Sequence, residues 1–453
     1  MTWRTHEDAV WIDMSVVIRR ATLLPMTEGA RPITADIVIS GSRIAAIGPD
    51  AVGPNDAEIL DRPGHFVMPG LVQTHLHLVQ TIFRGMAEDL TLLDWLRRRV
   101  WPLEAALDEA SVRASVRLGL LELLLGGTTT ILDMGTTRFG DVVAEELVRS
   151  GIRAFFGQAM MDSGEGAPPG LIETTRASLD ASAALHKRWH RSANGRLHYA
   201  YAPRFALSCS RDMLEAVAAL AKMNDLIVHT HTNEDQSERI AIQAATGNSP
   251  VAYLVETGIA SDRMVAAHGV HVDDAELAML RDTRSTITHC PTSNLKLGAG
   301  VADVARLRGA RVTVGLGADG AACNNRLDGF EEVRMASLLA RMLHGQGTLT
   351  AGDALTMATR TGARALHADN EIGSLEVGKR ADVVVLDSSR LGGPGGDPVT
   401  RIVFGGGGRA VRDVLVDGTV LVRDGVAQTL DAAEVRAKAT EAQPALLRRA
   451  ALA

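Results

Sequence analysis

The stretch that decides the fold of this chain is Met68-Pro69-Gly70-Leu71-Val72-Gln73-Thr74-His75-Leu76-His77. Pro69-Gly70 is typical of a turn, and the apolar residues that follow it predict a short buried strand. Side chains alternate between the two faces of a strand, so His75 and His77 lie on the same face. Two neutral imidazole nitrogens on one face can bind one divalent ion such as Zn²⁺. A lone His-x-His pattern is more often structural, so a metal site requires further ligands at other strand ends.

Composition limits the class of protein. A chain of 453 residues suits a large α/β domain with a smaller second domain. The formal net charge is -7 without a basic tract, so we expect neither a nucleic-acid partner nor an anionic membrane surface. No apolar run is long enough to cross a bilayer, and residues 1–8 lack the apolar core of a signal peptide. Three widely spaced cysteines argue against a disulfide framework, and we predict a cytoplasmic protein.

The chain alternates between β and β/α character. Residues 14–62 and 380–425 read as short strands, including a hairpin with an Asp417-Gly418 turn. Between them, apolar strands alternate with amphipathic helices, one of which runs from an N-cap at Asp108 to Leu125. After the His75 strand, further strands are predicted at 129–132, 152–157, 197–202, 226–231, 264–269, 286–290 and 312–318. Eight strands over 250 to 300 residues predict an α/β fold, a TIM-type (β/α)8 barrel, with its site at the carboxyl ends of the strands.

We therefore predict four parts. Residues 1–65 form the first part of a small β-sandwich, and residues 66–375 form the (β/α)8 barrel. Residues 376–430 complete the sandwich, and residues 431–453 form a C-terminal helix.

Titratable side chains stand at the ends of several predicted barrel strands. His229 and His231 end the fifth strand, and Glu234 follows three residues later; alternation does not choose between the two histidines. The sixth, seventh and eighth strands end at His268, His289 and Asp319, respectively. Each of these residues alone has a structural explanation. Their convergence at one end of a barrel predicts a metal-dependent active site.

These motifs resemble the amidohydrolase superfamily, and more narrowly its aminohydrolases that act on N-heterocycles. The matching segments are Pro69-Gly70-Leu71…His75-x-His77, His231-x-x-Glu234, Ala267-His268, His289-Cys-Pro-Thr-Ser-Asn294 and Gly317-Ala-Asp319. The resemblance implies one divalent ion held by His75, His77, His231 and Asp319, and it selects His231 over His229. It implies Glu234, His268 and Asp319 as the catalytic groups. Zn²⁺ suits this ligand set best, and Fe²⁺ also fits.

The substrate contacts follow two patterns. The segments 83–96 and Trp101-Pro102-Leu103-Glu104 resemble deaminases of 5′-methylthioadenosine, S-adenosylhomocysteine and 5′-deoxyadenosine, which implies that Glu104 binds ribose hydroxyls. Gln80 and Arg204-Phe205 resemble guanine deaminases, where the matching residues hold the purine. Arg204 can donate paired hydrogen bonds to a heterocycle, and Phe205 can stack on it. We assign His289 to substrate binding as well.

The resulting prediction is a hydrolytic deaminase of an aminopurine, with an adenine nucleoside as the preferred substrate and the inosine analogue plus ammonia as products. The first alternative is a deaminase of guanine, another oxopurine or a pterin, and the second is an s-triazine chlorohydrolase or aminohydrolase. A cyclic amide hydrolase would require a bridging lysine and two metals, and a non-catalytic scaffold should lack some of the ligands. The resemblance also implies a homo-oligomer, a dimer or tetramer.

Overall fold

Strands from both ends of the chain form one mixed sheet. The computed structural model describes residues 15–49 and 51–452, so residues 1–14, which include the segment compared above with a signal peptide, lie outside it. The nine strands of this sheet are Val16–Leu23, Ile33–Ser40, Arg43–Gly48, Glu58–Asp61, Phe66–Pro69, Val383–Leu386, Val411–Val416, Thr419–Arg423 and Val426–Ala427.

The sheet joins the two ends of the chain at one antiparallel pair. Phe66–Pro69 pairs with Val383–Leu386, and Val67 lies opposite Val385 in the register. Buried apolar residues of the sheet, such as Ile37 and Val383, pack in a core separate from that of the barrel. The hairpin at Asp417-Gly418 is confirmed: both residues have positive φ (48° and 74°), as a two-residue primed turn requires.

The predicted (β/α)8 barrel is confirmed. Its eight parallel strands are Leu71–His77, Thr128–Met134, Arg153–Gly157, Leu197–Tyr199, Val228–Thr232, Met264–His268, Thr286–His289 and Thr313–Leu316. The first strand pairs with the second and the eighth, and the remaining strands follow in order around the ring. A bridge between Tyr201 and Val228 joins the fourth strand to the fifth and closes the barrel.

Two barrel strands are each three residues shorter than predicted. The fourth ends at Tyr199 because Ala202–Pro203 pairs instead with Ala159–Met160, just outside the barrel sheet. The eighth ends at Leu316, since Asp319 adopts a left-handed backbone with φ of 61° and pairs beside Leu76. The departure from regular strand geometry in the eighth strand therefore coincides with a predicted site residue.

Helices surround the barrel. The helix Glu109–Leu125 begins as predicted, because the Asp108 carboxylate accepts a hydrogen bond from the backbone N–H of Ser111 (2.9 Å). The other α-helices are Leu92–Trp95, Trp101–Ala105, Gly140–Ser150, Thr175–Trp189, Arg211–Asn224, Gln236–Thr246, Pro250–Glu256, Asp274–Asp282, Pro291–Lys296, Val304–Gly309, Gly329–His344, Ala351–Met357, Arg360–Ala365, Pro398–Gly405 and Ala432–Arg449.

A few short elements complete the fold. The 3₁₀ turns are Leu78–Phe83, Ser388–Arg390 and Gly407–Ala410, and Leu96–Val100 is a π-helical turn. The C-terminal helix Ala432–Arg449 packs against Glu109–Leu125. Over residues 15–49 and 51–452, no helix combines the length and apolarity that a membrane crossing needs.

Candidate metal and catalytic site

Four side chains converge at the carboxyl ends of three barrel strands. Ligand atoms of His75, His77, His231 and Asp319 all lie within 4.8 Å of one another. Nε2 of His77 is 3.2 Å from Nε2 of His231, and Nε2 of His75 is 3.2 Å from Oδ1 of Asp319. Three imidazoles and one carboxylate at such distances suit one divalent ion of the zinc type.

The Nδ1 atom of each of these histidines contacts a polar atom on the side away from the cluster. Nδ1 of His77 donates to the carbonyl oxygen of Met134 (2.8 Å), and Nδ1 of His231 donates to that of Arg204 (2.7 Å). Nδ1 of His75 lies 2.7 Å from Nε2 of His229. The two carbonyl acceptors fix the tautomers of His77 and His231, so that the Nε2 atom of each presents a lone pair to the cluster.

The electrostatics of the three rings agree with this arrangement. Burial, together with the neighbouring His75, lowers the pKa of His77 to about 3. Burial also places the pKa of His231 well below its ordinary value and lowers that of His75. Neutral imidazole is the form that binds metal. The structure therefore holds these side chains in the metal-binding protonation state at neutral pH.

Asp319 is held by hydrogen bonds to both of its carboxylate oxygens. Its Oδ2 accepts from the hydroxyl of Ser293 (2.6 Å) and from the thiol of Cys323 (3.2 Å), while Oδ1 faces His75. At Gly317, two residues earlier, a Cβ atom would overlap the carbonyl oxygen of His75, so only glycine fits there. The carboxylate is thus locked in one orientation.

Glu234 and His268 form a second group beside the cluster. Oε2 of Glu234 lies 3.4 Å from Nε2 of His268, and both side chains are buried. Nδ1 of His268 donates to Oδ1 of Asn294 (2.8 Å), which leaves Nε2 free to accept. Burial raises the pKa of Glu234 well above its ordinary value, and the nearby Asp319 raises it further. Glu234 is consequently a carboxylic acid that can donate a proton near neutral pH.

A narrow cavity opens onto this group. Its volume is only about 20 Å³. Its walls are His77, Gln80, Leu92, Trp95, Leu96, Arg204, Phe205, His231, Glu234, His268 and Asp319. The apolar wall comes from the helix Leu92–Trp95 and from the π-helical turn that follows it.

Glu104 lies behind two of the wall residues, with its side chain fully buried. Its Oε1 accepts from Nε2 of Gln80 (2.9 Å) and from Nη2 of Arg204 (3.2 Å), and its Oε2 accepts from Nη1 of Arg204 (2.6 Å). Arg204 keeps three unused N–H donors, and Oε1 of Gln80 has no hydrogen-bond partner among the described residues. The three side chains form one buried polar unit at the cavity wall.

Two histidines stand apart from the cavity. His229 packs behind His75, as described, which leaves His231 in the cluster. His289 is buried at the end of the seventh strand, is not among the cavity walls, and its Nδ1 has no partner within the described segments. Its assignment to substrate binding stays a prediction.

Three positioning side chains were not singled out from the sequence. Ser293 and Asn294 fall inside the motif His289-Cys-Pro-Thr-Ser-Asn294, and that motif was the available signal. Cys323 lies four residues after Asp319 and carried no signal of its own. The helical turn Pro291–Lys296 brings Ser293 to Asp319 and Asn294 to His268, so one short segment orients both groups.

A buried carboxyl group behind the site predicts a pH dependence of stability. Glu332 accepts hydrogen bonds from Asn324 Nδ2 (2.8 Å) and from the backbone N–H of Thr292 (3.1 Å), and burial raises its pKa to about 7. The folded state holds this proton more tightly than the unfolded chain does. The contribution of the Glu332 carboxyl group to the free energy of unfolding therefore falls by roughly 3 kcal/mol as pH rises from about 4.5 to about 7.

The measurement is urea unfolding of the wild type and of Glu332→Gln between pH 4.5 and 7.5. We expect the variant to lose this part of the slope, because glutamine does not ionise. The control is Glu331→Gln at the neighbouring, partly exposed residue, which should keep the wild-type slope. Parallel curves for Glu332→Gln and the wild type would contradict the prediction.

The (β/α)8 barrel with His75, His77, His231 and Asp319 at its carboxyl end defines a hydrolase of the metal-dependent class. Residues 66–421 match the Amidohydrolase family. The chain belongs to this family, as its motifs predicted.

Several proteins similar to this chain are named as deaminases of adenine nucleosides or related compounds. A 5′-deoxyadenosine deaminase of Methanothermobacter thermautotrophicus is 38% identical over 398 residues, which cover 87% of this chain and 91% of that protein. A 5-methylthioadenosine/S-adenosylhomocysteine deaminase of Symbiobacterium thermophilum is 36% identical over 440 residues, or 96% of this chain and 99% of the relative. The crystal structure of an adenosine deaminase from Xanthomonas campestris with bound zinc superposes with a TM-score of 0.90 at 31% identity, covering 96% of this chain and 99% of that one.

Proposed function

We propose that this protein is a metal-dependent hydrolytic deaminase of adenine nucleosides. The preferred substrates are 5′-deoxyadenosine, 5′-methylthioadenosine and S-adenosylhomocysteine, each converted to the inosine analogue and ammonia. The observation that carries the proposal is the cluster of three imidazoles and one carboxylate beside the buried Glu234, whose pKa is raised by burial. The names of the similar deaminases support the choice of substrate.

We propose that His75, His77, His231 and Asp319 hold one divalent ion, with Zn²⁺ preferred over Fe²⁺. The donor set fits such an ion, because one ligand atom of each of the four side chains lies within 4.8 Å of the others. When bound, a divalent ion of this kind lowers the pKa of water from about 16 toward about 7.

Three side chains carry out or assist the proton transfers. Oδ1 of Asp319 accepts a proton from the attacking water. Glu234 gives its proton to the ring nitrogen beside the attacked carbon, which makes that carbon more electrophilic and breaks the aromaticity of the ring. Nε2 of His268 orients the water and assists departure of the amine. Asn294 and Ser293 hold His268 and Asp319 in place for these steps.

The ribose contact is proposed for Glu104. A carboxylate offers about four lone-pair sites, and Gln80 and Arg204 use three of them, so one remains on Oε2 for a hydroxyl group. We expect wild-type kcat/KM to be at least about tenfold higher for adenosine than for 2′,3′-dideoxyadenosine, since a site built for a hydroxyl group rejects its absence. Glu104→Gln should reduce this preference, chiefly through KM for adenosine.

Steady-state ammonia release checks this prediction on both nucleosides. Glu122→Gln is the control, because Glu122 is a partly buried carboxylate that pairs with Arg84 and lies outside the cavity walls. A Glu104→Gln enzyme that discriminates between the two nucleosides as well as the wild type does would rule out the ribose contact.

A second candidate is a deaminase of guanine or another oxopurine. It is favoured by the unpaired Oε1 of Gln80 and the unused donors of Arg204 at the cavity wall, beside the ring of Phe205. An acceptor next to a guanidinium group suits a base edge that carries both an N–H and a carbonyl.

The deciding experiment is ammonia release from a panel of 5′-deoxyadenosine, 5′-methylthioadenosine, adenosine, guanine, 8-oxoguanine and an amino-s-triazine. We expect the highest kcat/KM for the nucleosides. Activity on guanine without activity on nucleosides would overturn the first proposal and favour the second.

The remaining proposals concern organisation. We propose domain limits at residues 65, 375 and 430, as the strand composition of the mixed sheet and the barrel supports. We also propose a cytoplasmic homo-oligomer, a dimer or tetramer, that binds neither nucleic acid nor membranes.

A further inference from the structure

A second and larger cavity lies at the amino-terminal ends of the barrel strands. Its volume is about 520 Å³. Arg153 begins the third strand, Ile227 precedes the fifth and Arg263 precedes the sixth, and all three line it. The metal cluster stands at the carboxyl ends of the same strands. The two cavities therefore occupy opposite ends of the barrel, and this one plays no part in the proposed deamination.

The lining is rich in guanidinium groups. Five arginines contribute to it, Arg43, Arg153, Arg191, Arg263 and Arg380. Most of these arginines form ion pairs with carboxylates. Glu371 pairs with Arg43 and Arg380, and Asp225 pairs with Arg263. Asp382 and Asp417 both pair with Arg153.

Two arginines at this cavity have no carboxylate within ion-pair distance in the described part of the chain. Arg191 is exposed at the rim, and Arg196 follows the lining residue Gly195 in the next position. Arg196 is only 9% exposed, and its Nε has no hydrogen-bond partner there. With Arg196 included, six guanidinium groups stand against four carboxylates, an excess of two positive charges. Asp417 and Asp382 attract the Arg196 guanidinium, but both already pair with Arg153. A buried guanidinium without a carboxylate of its own is costly, so an anion in this cavity would stabilise it.

The cavity also has an aromatic wall. The rings of Phe155 and His198 stack with centroids 4.6 Å apart, and both residues line the cavity. Burial lowers the pKa of His198 to about 4, and the nearby His190 and Arg153 act in the same direction. The His198 ring is accordingly neutral at pH 7, and it offers a flat surface rather than an additional charge.

A strained turn presents Arg191 to the rim. Arg191, Ala193 and Asn194 all have left-handed backbone conformations, with φ of 62°, 51° and 58°. Left-handed geometry costs about 1–2 kcal/mol for each such residue, and it persists where the surrounding structure requires it. The strain lies at the mouth of the cavity.

We propose that this cavity binds a small phosphate-bearing anion, with Arg191 as a direct contact and the Phe155–His198 stack beside its organic part. The guanidinium fork matches the oxygen geometry of phosphate, and a dianion balances the excess of two charges. A volume of about 520 Å³ holds a nucleotide-sized molecule.

Isothermal titration calorimetry of the metal-loaded enzyme tests the proposal with inorganic phosphate and with uridine 5′-monophosphate as probes, at constant ionic strength. A pyrimidine nucleotide is chosen because it is not an aminopurine substrate. We expect binding of phosphate with Kd of about 1 mM or below, and tighter binding of the nucleotide because the aromatic wall adds contacts. No heat of binding for either probe up to about 10 mM would overturn the proposal.

Arg191→Glu supplies the decisive variant. The residue is exposed, so the substitution should leave folding and ammonia release from nucleosides unchanged while it weakens binding of both probes by roughly tenfold or more. The matched control is Arg176→Glu, on an arginine that is 85% exposed and remote from the cavity lining, which should bind both probes like the wild type. Equal affinities of Arg191→Glu and the wild type would show binding elsewhere and refute the assignment.

Discussion

Asp319→Ala is expected to remove both the tightly bound metal and the deaminase activity. Asp319 is the only carboxylate in the four-residue cluster among the described residues, and it is also the proposed acceptor of the proton from water. Loss of general-base function alone lowers kcat by about 10²–10⁴-fold, and loss of the metal adds to this effect. We expect kcat/KM for 5′-deoxyadenosine to fall by at least about 10³-fold.

Metal content by elemental analysis and ammonia release measure the two effects separately. The wild type should carry about one ion per chain, and the variant should lose it on dialysis against a chelator. Asp180→Ala is the control, because Asp180 is exposed and pairs only with Arg176 on the surface. Wild-type activity of Asp319→Ala would contradict the proposed mechanism. A wild-type enzyme without stoichiometric metal would contradict it as well.

Glu234→Gln is expected to leave the metal in place and to abolish proton donation. Glutamine has the same shape as the protonated acid but no transferable proton. We expect kcat to fall by about 10²–10⁴-fold with little change in KM, since the loss affects the transition state rather than binding. Metal content equal to that of the wild type distinguishes this result from that of Asp319→Ala.

The control for Glu234→Gln is Glu256→Gln, at a half-exposed residue that pairs with Arg211. Its kinetics should match those of the wild type. A Glu234→Gln enzyme with unchanged kcat would mean that another group protonates the ring. In that case His268, whose Nε2 lies 3.4 Å from Glu234, would be the next residue to substitute.

The convergence of His75, His77, His231 and Asp319 could be predicted from the sequence because it depends on local order. Each residue stands at the end of an apolar strand, and the barrel rule places such ends on one face. The choice between His229 and His231 did not follow from alternation, because both point to the same side of their strand. The resemblance selected His231, and the structure shows the physical difference: its Nδ1 reaches the Arg204 carbonyl, whereas His229 packs against His75.

Contacts between distant segments were not predictable from the sequence. The pairing of Glu104 with Arg204 joins residues 100 positions apart, and no local periodicity encodes it. The same holds for Ser293 and Asp319, which meet only because the seventh and eighth strands are neighbours. The left-handed backbone at Asp319 likewise arises from tertiary contacts. Sequence order therefore predicted which groups gather, and the folded structure shows how they are oriented.

The pairing of Phe66–Pro69 with Val383–Leu386 has a consequence for how the protein is made. The first of these strands leads directly into the one that carries His75, yet its partner is translated more than 300 residues later. At typical elongation rates the ribosome needs roughly 15 to 60 s for that interval. During this time Phe66–Pro69 can pair on one edge only, with Val16–Leu23, and its other edge stays open. The mixed sheet is therefore completed only after residue 386 has been translated, and the open strand edge is an aggregation risk until then.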